Sequence, residues 1–183
     1  FQTGRSVMAY MGHTGNWEWV SALPTQLNAK YQVCQIYHVL ENSVMNNVML
    51  KIRGAYGAES ISMERTLRQL LEYKNRGQQF IVGMIADQVP LMRNIHYWTQ
   101  FMNQKTPVFT GAERIAKKLD LAVFYAEVIR IKRGRYECVL HLMYESTKDE
   151  PEHSVTERYN RRLENTINNN PAIWLWSHNR WKR

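Results

Sequence analysis

Residues 79–86 read QFIVGMIA, an unbroken apolar run after its first position. A half-buried strand would alternate polar and apolar side chains, and an amphipathic helix would repeat every three or four residues. A run this short and this uniform reads instead as a buried strand. Asp87-Gln88 closes it. SVMAYM (6–11) is a second such run and ends on Gly12. YQVCQIY (31–37) is β-branched and aromatic, a third strand. Segments of helical period lie between them. Residues 16–30 carry Trp17, Val20, Leu23 and Leu27 at helical spacing, with Thr14 or Asn16 as a cap and Pro24 as a kink. Asn42-Ser43 starts a helix carrying Val44, Val48, Leu50 and Ile52. Ser60 or Ser62 starts another, with Met63, Leu67, Leu70 and Leu71 on one face, stopping at Asn75-Arg76-Gly77.

Further on, 89–109 reads as a long polar-aromatic loop, and Gly111 opens a helix to Leu119. Residues 122–134 and 135–146 form a hairpin turning at Arg133-Gly134. After an acidic loop, 147–153, comes a capped helix, 154–170, and then a short aromatic helix from Pro171. This order predicts the α/β class: a mixed, largely parallel central sheet flanked by helices, ending in an antiparallel hairpin. The 183 residues are expected to form a single domain, 1–183. In such sheets, sites gather at the carboxyl ends of strands. His13 and Asp87 both stand at such ends.

A net charge of +8 with six Trp and ten Tyr favours an anionic membrane surface or an acidic substrate as partner. Lys and Arg are scattered and no nucleic-acid motif is recognised, so nucleic acid is not expected. No apolar run reaches the roughly 18 residues of a membrane span. Cys34 and Cys138 both lie in strand-like runs and read as buried thiols, consistent with a reducing, cytoplasmic setting. The chain starts at Phe1, which reads as a domain whose membrane-associating region lies upstream.

The chemistry concentrates in HTGNWE (13–18). A histidine of near-neutral pKa is the natural general base, and a carboxylate that fixes its tautomer completes the pair. Glu18, in the first turn of the proposed helix, can fold back onto His13. The alternative is a helix start with an acid favouring the dipole. A metal site is not expected, because His13 and Glu18 are two ligands with no third nearby.

The surrounding strings narrow the choice. HTGNWE resembles the H-x4-D/E motif of the glycerolipid and lysophospholipid acyltransferases, in the variant of the lipid A biosynthesis acyltransferases. QIYHVLEN (35–42) is similar to that branch's Y-R-P-L-x-N segment, with His38 and Val39 in place of Arg and Pro. KIRGAYG (51–57) is similar to its R-x-x-x-G element and MIADQ (84–88) to its D-Q motif. VFTGAERIAKKLDLAVFYAEV (108–128) and NNPAIWLWSHNRWKR (169–183) resemble its later segments.

The resemblance implies a glycerolipid-acyltransferase-like fold and acyl transfer. A thioester on acyl carrier protein or coenzyme A would donate to a hydroxyl of a lipid A precursor. His13 would be the general base, oriented by Glu18. Arg53, Asp87, Gln88 and Gly111 would bind substrate. No cofactor and no acyl-enzyme are implied. The setting would be the cytoplasmic face of the bacterial inner membrane. Another lipid acceptor, or a non-catalytic membrane-lipid-binding module, are the alternatives. The Trp174, Trp176, His178 and Trp181 cluster reads as core or interface anchor.

Overall fold

The computed structural model describes residues 4–27 and 31–181. Its strands are β1 (Val7–Met11), β2 (Gln32–Tyr37), β3 (Glu59–Ser62), β4 (Phe80–Ile85), β5 (Tyr97–Phe101), β6 (Gln104–Val108), β7 (Ala122–Lys132) and β8 (Arg135–Tyr144). Its α-helices are α1 (Ser43–Gly54), α2 (Thr66–Asn75), α3 (Gly111–Leu119) and α4 (Ser154–Asn169). Six strands form one sheet in the order β3-β2-β4-β1-β7-β8. All its pairings are parallel except the β7–β8 hairpin. That is the α/β architecture expected from the two unbroken apolar runs. Both become interior strands, and β1 is buried at all five positions. Covered on both faces, they have no solvent side to make polar, so they do not alternate.

Met8, Tyr10, Val82 and Tyr125 face a layer made by α2, α3 and α4. α4 supplies Val155, Tyr159, Leu163 and Ile167, buried at a spacing of four. On the other face, Ala9, Met11, Ala126 and Val128 meet Val20 and Tyr136. Val20 belongs to a 3₁₀ helix, Trp17–Gln26. This is the segment expected as an α-helix. It buries none of its residues and carries Pro24, which cannot donate to an interior turn. Residues 28–30 of the expected helix lie outside the described residues.

Four other expectations change. Residues 59–62 form an edge strand, not the start of a helix, and α2 begins at Thr66. The expected loop 89–109 contains the β5–β6 hairpin, turning through Met102 and Asn103, both at positive φ. After Pro171–Ile173 the described part of the aromatic tail, 174–181, is not helical, and 182–183 lie outside the described residues. Cys34 is buried as expected, but Cys138 is exposed on edge strand β8.

Candidate active site

The sheet brings two side chains together from positions 74 residues apart. β1 and β4 are parallel neighbours in register from Val7 opposite Ile81 to Met11 opposite Ile85. Two residues beyond that last pair stand His13 and Asp87. The connection leaving β1 runs to β2 on one side, and the one leaving β4 runs eventually to β7 on the other. The crevice between them is the topological switch point, where α/β sheets place their sites. Gly12 permits this close approach. A Cβ there would come 2.7 Å from Leu163 Cδ1 and 3.5 Å from Asp87 Oδ2.

His13 Nδ1 lies 2.6 Å from Asp87 Oδ1, and the His13 backbone N–H donates to Asp87 Oδ2 at 2.9 Å. Trp174 Nε1 donates to the same oxygen at 2.8 Å. Asp87 is 4% exposed. Burial alone would raise its pKa, but the bonds and charge from His13, with the Trp174 donor, outweigh it and hold the carboxyl below its usual range. An ionised Asp87 can only accept, so Nδ1 carries a proton, and the neutral form of the ring has its lone pair on Nε2. Gln88 Nε2 stands 3.5 Å from His13 Nε2, at the limit of hydrogen-bonding reach. The His13 side chain keeps 18% of its surface open.

The C-terminal tail locks this arrangement. Thr14 bridges to Trp174, Gly15 N–H donates to Ile173 O at 2.8 Å, and Leu175 N–H donates to His13 O at 3.0 Å. Val89 N–H donates to His178 Nε2 at 3.2 Å, which pins the chain just past Gln88. Trp174, read from sequence only as an anchor, therefore touches the acid of the pair directly.

Among the described residues Glu18 makes its side-chain hydrogen bonds to Arg53 and none to His13. Its oxygens accept from Arg53 Nη2 at 2.7 Å and Arg53 Nε at 3.1 Å, a bidentate pair. That bond raises the Arg53 pKa further. The ring partner is Asp87, which the sequence placed at a strand end among the substrate-binding candidates. His13 is braced against the 3₁₀ helix instead by the edge of Trp17, 5.2 Å between ring centres. Gly111 opens α3 with open space where a Cβ would sit, and no described hydrogen bond ties it to the pair. Burial, with Glu59 beside it, pushes the Cys34 thiol up to about 12, so it is not a ready nucleophile at neutral pH. Among the described residues no group of three or more His, Cys, Asp or Glu side chains converges on a metal position. Nor is any described helix long and apolar enough to cross a membrane.

A largely parallel α/β sheet here carries a partly open histidine at its switch point, with Nδ1 held by a buried acid, an arrangement chemically able to take up a proton. The chain belongs to the bacterial lipid A biosynthesis acyltransferase family, whose pattern it matches over residues 2–183. It is thus an acyltransferase of that family. No curated protein matches it at a significant level.

Proposed function

We propose that the chain moves a fatty acyl group from a thioester, on acyl carrier protein or coenzyme A, to a hydroxyl of a lipid A precursor. The single observation that carries this reading is the 2.6 Å contact from His13 Nδ1 to ionised Asp87, which leaves Nε2 as a base. Nε2 takes the acceptor hydroxyl's proton while that oxygen attacks the thioester carbonyl. The tetrahedral intermediate then collapses, the C–S bond breaks, and the thiolate takes the proton back from the imidazolium. Asp87 stabilises the imidazolium throughout without itself becoming protonated. No side chain of the protein is acylated.

Arg53 commits Nε and Nη2 to Glu18, and its Nη1 remains for a substrate phosphate. In this reading Glu18 aims Arg53, not His13. The apolar side chains of α1 favour a lipid-facing role at the cytoplasmic face of the inner membrane. Val44, Met45, Val48 and Ile52 are exposed there, with Trp19 and Tyr56 also open to solvent.

The test supplies a labelled acyl thioester and a lipid A precursor to the wild type, His13→Ala and Asp87→Asn. Turnover is expected to fall by about 10²–10⁴ in both variants, as removal of a general base or its orienter does. Equal turnover in all three would overturn the reading.

A further inference from the structure

The six-stranded sheet ends differently at its two edges. β3, at one edge, has four residues, and β8, at the other, has ten. Short edge strands, prolines, lysines and bulges are the usual guards against pairing with another chain. β8 carries no Pro and no Lys, and it runs beside β7 without a bulge from Tyr136 to Leu142. Among the described residues no strand pairs with its outer side and no loop bonds to its backbone.

Tyr136, Cys138, Leu140 and Leu142 alternate along this stretch and so share one face of the sheet. Tyr136 packs onto the cluster of Ala126, Val128 and Val20. Beyond it the stripe lies open, with Cys138 exposed, Leu140 41% exposed and Leu142 44% exposed. A bilayer could cover the stripe. It offers nothing to the unpaired N–H and C=O groups beside it, because an open sheet edge finds no partner in hydrocarbon. A strand laid along β8 satisfies both at once.

The charges say whose strand it is. Lys132, Arg133 and Arg135 crowd the turn end of the hairpin. Glu145, Asp149 and Glu150 follow the other end, with Lys148 the one cation among them. None of these side chains joins an ion pair among the described residues. A two-fold axis through Leu140 turns a second β8 end for end. Its acidic end then meets the basic end of the first, and the same contact repeats at the other end. Arg135 of each copy comes level with Glu145 of the other, five residues on either side of the axis. A parallel alignment would set base on base and acid on acid. The axis also keeps the two apolar stripes on one face, where they run into each other.

We infer that β8 pairs antiparallel with the β8 of a second copy of this chain, about a two-fold axis at Leu140, to make one continuous sheet. The charged ends set direction and register, while the backbone ladder and the apolar stripe hold the pair. One pair of edge strands is a small interface, so the dimer exchanges with monomer. The pairing does not depend on the acyl-transfer reading.

Sedimentation equilibrium on the full chain, over a hundredfold range of concentration and with reductant to keep Cys138 a thiol, reads the association. The wild type is expected to pass from monomer to dimer across that range. Leu140→Lys sets two ammonium groups opposite each other on the axis and is expected to weaken the dimer at least tenfold. Arg135→Glu and Glu145→Arg are each expected to weaken it as well. Mixed together, these two single variants are expected to regain wild-type association, since each then meets its opposite charge at both ends. The three side chains are exposed, so a melting curve should show each variant folded. Deuterium exchange of the β8 amides is expected to slow with concentration in the wild type and not in Leu140→Lys. A wild type that stays monomeric throughout, an unchanged dimer in Leu140→Lys, single variants that do not recover on mixing, or β8 exchange that ignores concentration would each overturn the inference. So would a monomer that shields Leu140 and Leu142 only on vesicles, which would assign the stripe to lipid.

Discussion

At the scale of single residues, the site depends on which atom of which acid touches His13. Asp87→Asn keeps the shape but replaces a pure acceptor with a group that can donate to Nδ1. That moves the ring proton toward Nε2 and removes the charge that stabilises the imidazolium. The loss should therefore fall on kcat, with KM for either substrate little changed, and steady-state kinetics on the purified variant reads the split. The same carboxylate ties stability to pH. Its folded pKa is depressed, so its contribution is present above the unfolded value of about 4 and is lost as pH falls through the folded value. Urea denaturation across roughly pH 2–6 should show the wild type losing stability toward acid more steeply than Asp87→Asn. The sequence made His13 legible, because a strand visibly ends at Gly12. It pointed to Glu18 as partner because Glu18 is near in the chain. The acid that touches the ring in the structure, Asp87, is brought in by the sheet from 74 residues away, which no local spacing can encode.

At the scale of elements, α4 was legible, since four of its buried positions, Val155, Tyr159, Leu163 and Ile167, repeat at helical period. β3 was hidden because only Ile61 of its four residues is buried, so an edge strand left almost no apolar signal. The β5–β6 hairpin was hidden for another reason. Its turn puts Met102 at φ +53 and Asn103 at φ +59, a conformation usually announced by Asn-Gly or Asp-Gly. Where α4 crosses the end of β1, a Cβ at residue 12 would press on the Leu163 side chain, which would have to shift. Gly12→Ala should cost about 1–3 kcal/mol through overpacking against Leu163. Leu163→Ala alone should cost roughly 2–5 kcal/mol through the cavity it leaves. Together they should cost less than the sum of the two, because the new methyl occupies part of that cavity. Denaturant melts of the four proteins close the cycle. A strictly additive result would mean that the contact does not set the spacing of strand and helix.

At the scale of the whole molecule, the proposed lipid-facing role draws on apolar surface and on charge. The helices α2, α3 and α4 bury their apolar faces, whereas α1 buries none of its residues. Val44 is 70% exposed and Ile52 is 57% exposed, at positions eight apart along the same helix. A helix of this kind gains most by lying in a bilayer interface, apolar side down. The net charge of +8 adds a pull toward anionic lipid, about 1 kcal/mol for each Lys or Arg that reaches the leaflet. The two contributions separate by experiment. Vesicles containing anionic lipid should bind the wild type more weakly as salt rises from about 0.01 to 0.1 M, because the screening length shrinks from roughly 30 to 10 Å. Val44→Glu with Val48→Glu should reduce binding at every salt concentration, since burying two carboxylates in the interface opposes insertion whatever the screening. Both side chains are exposed, so stability should move by no more than about 0.5 kcal/mol per site, which a melting curve checks. If the double variant matched the wild type on vesicles at all salt concentrations, α1 would not be the lipid-facing element, and the charge alone would account for the attraction.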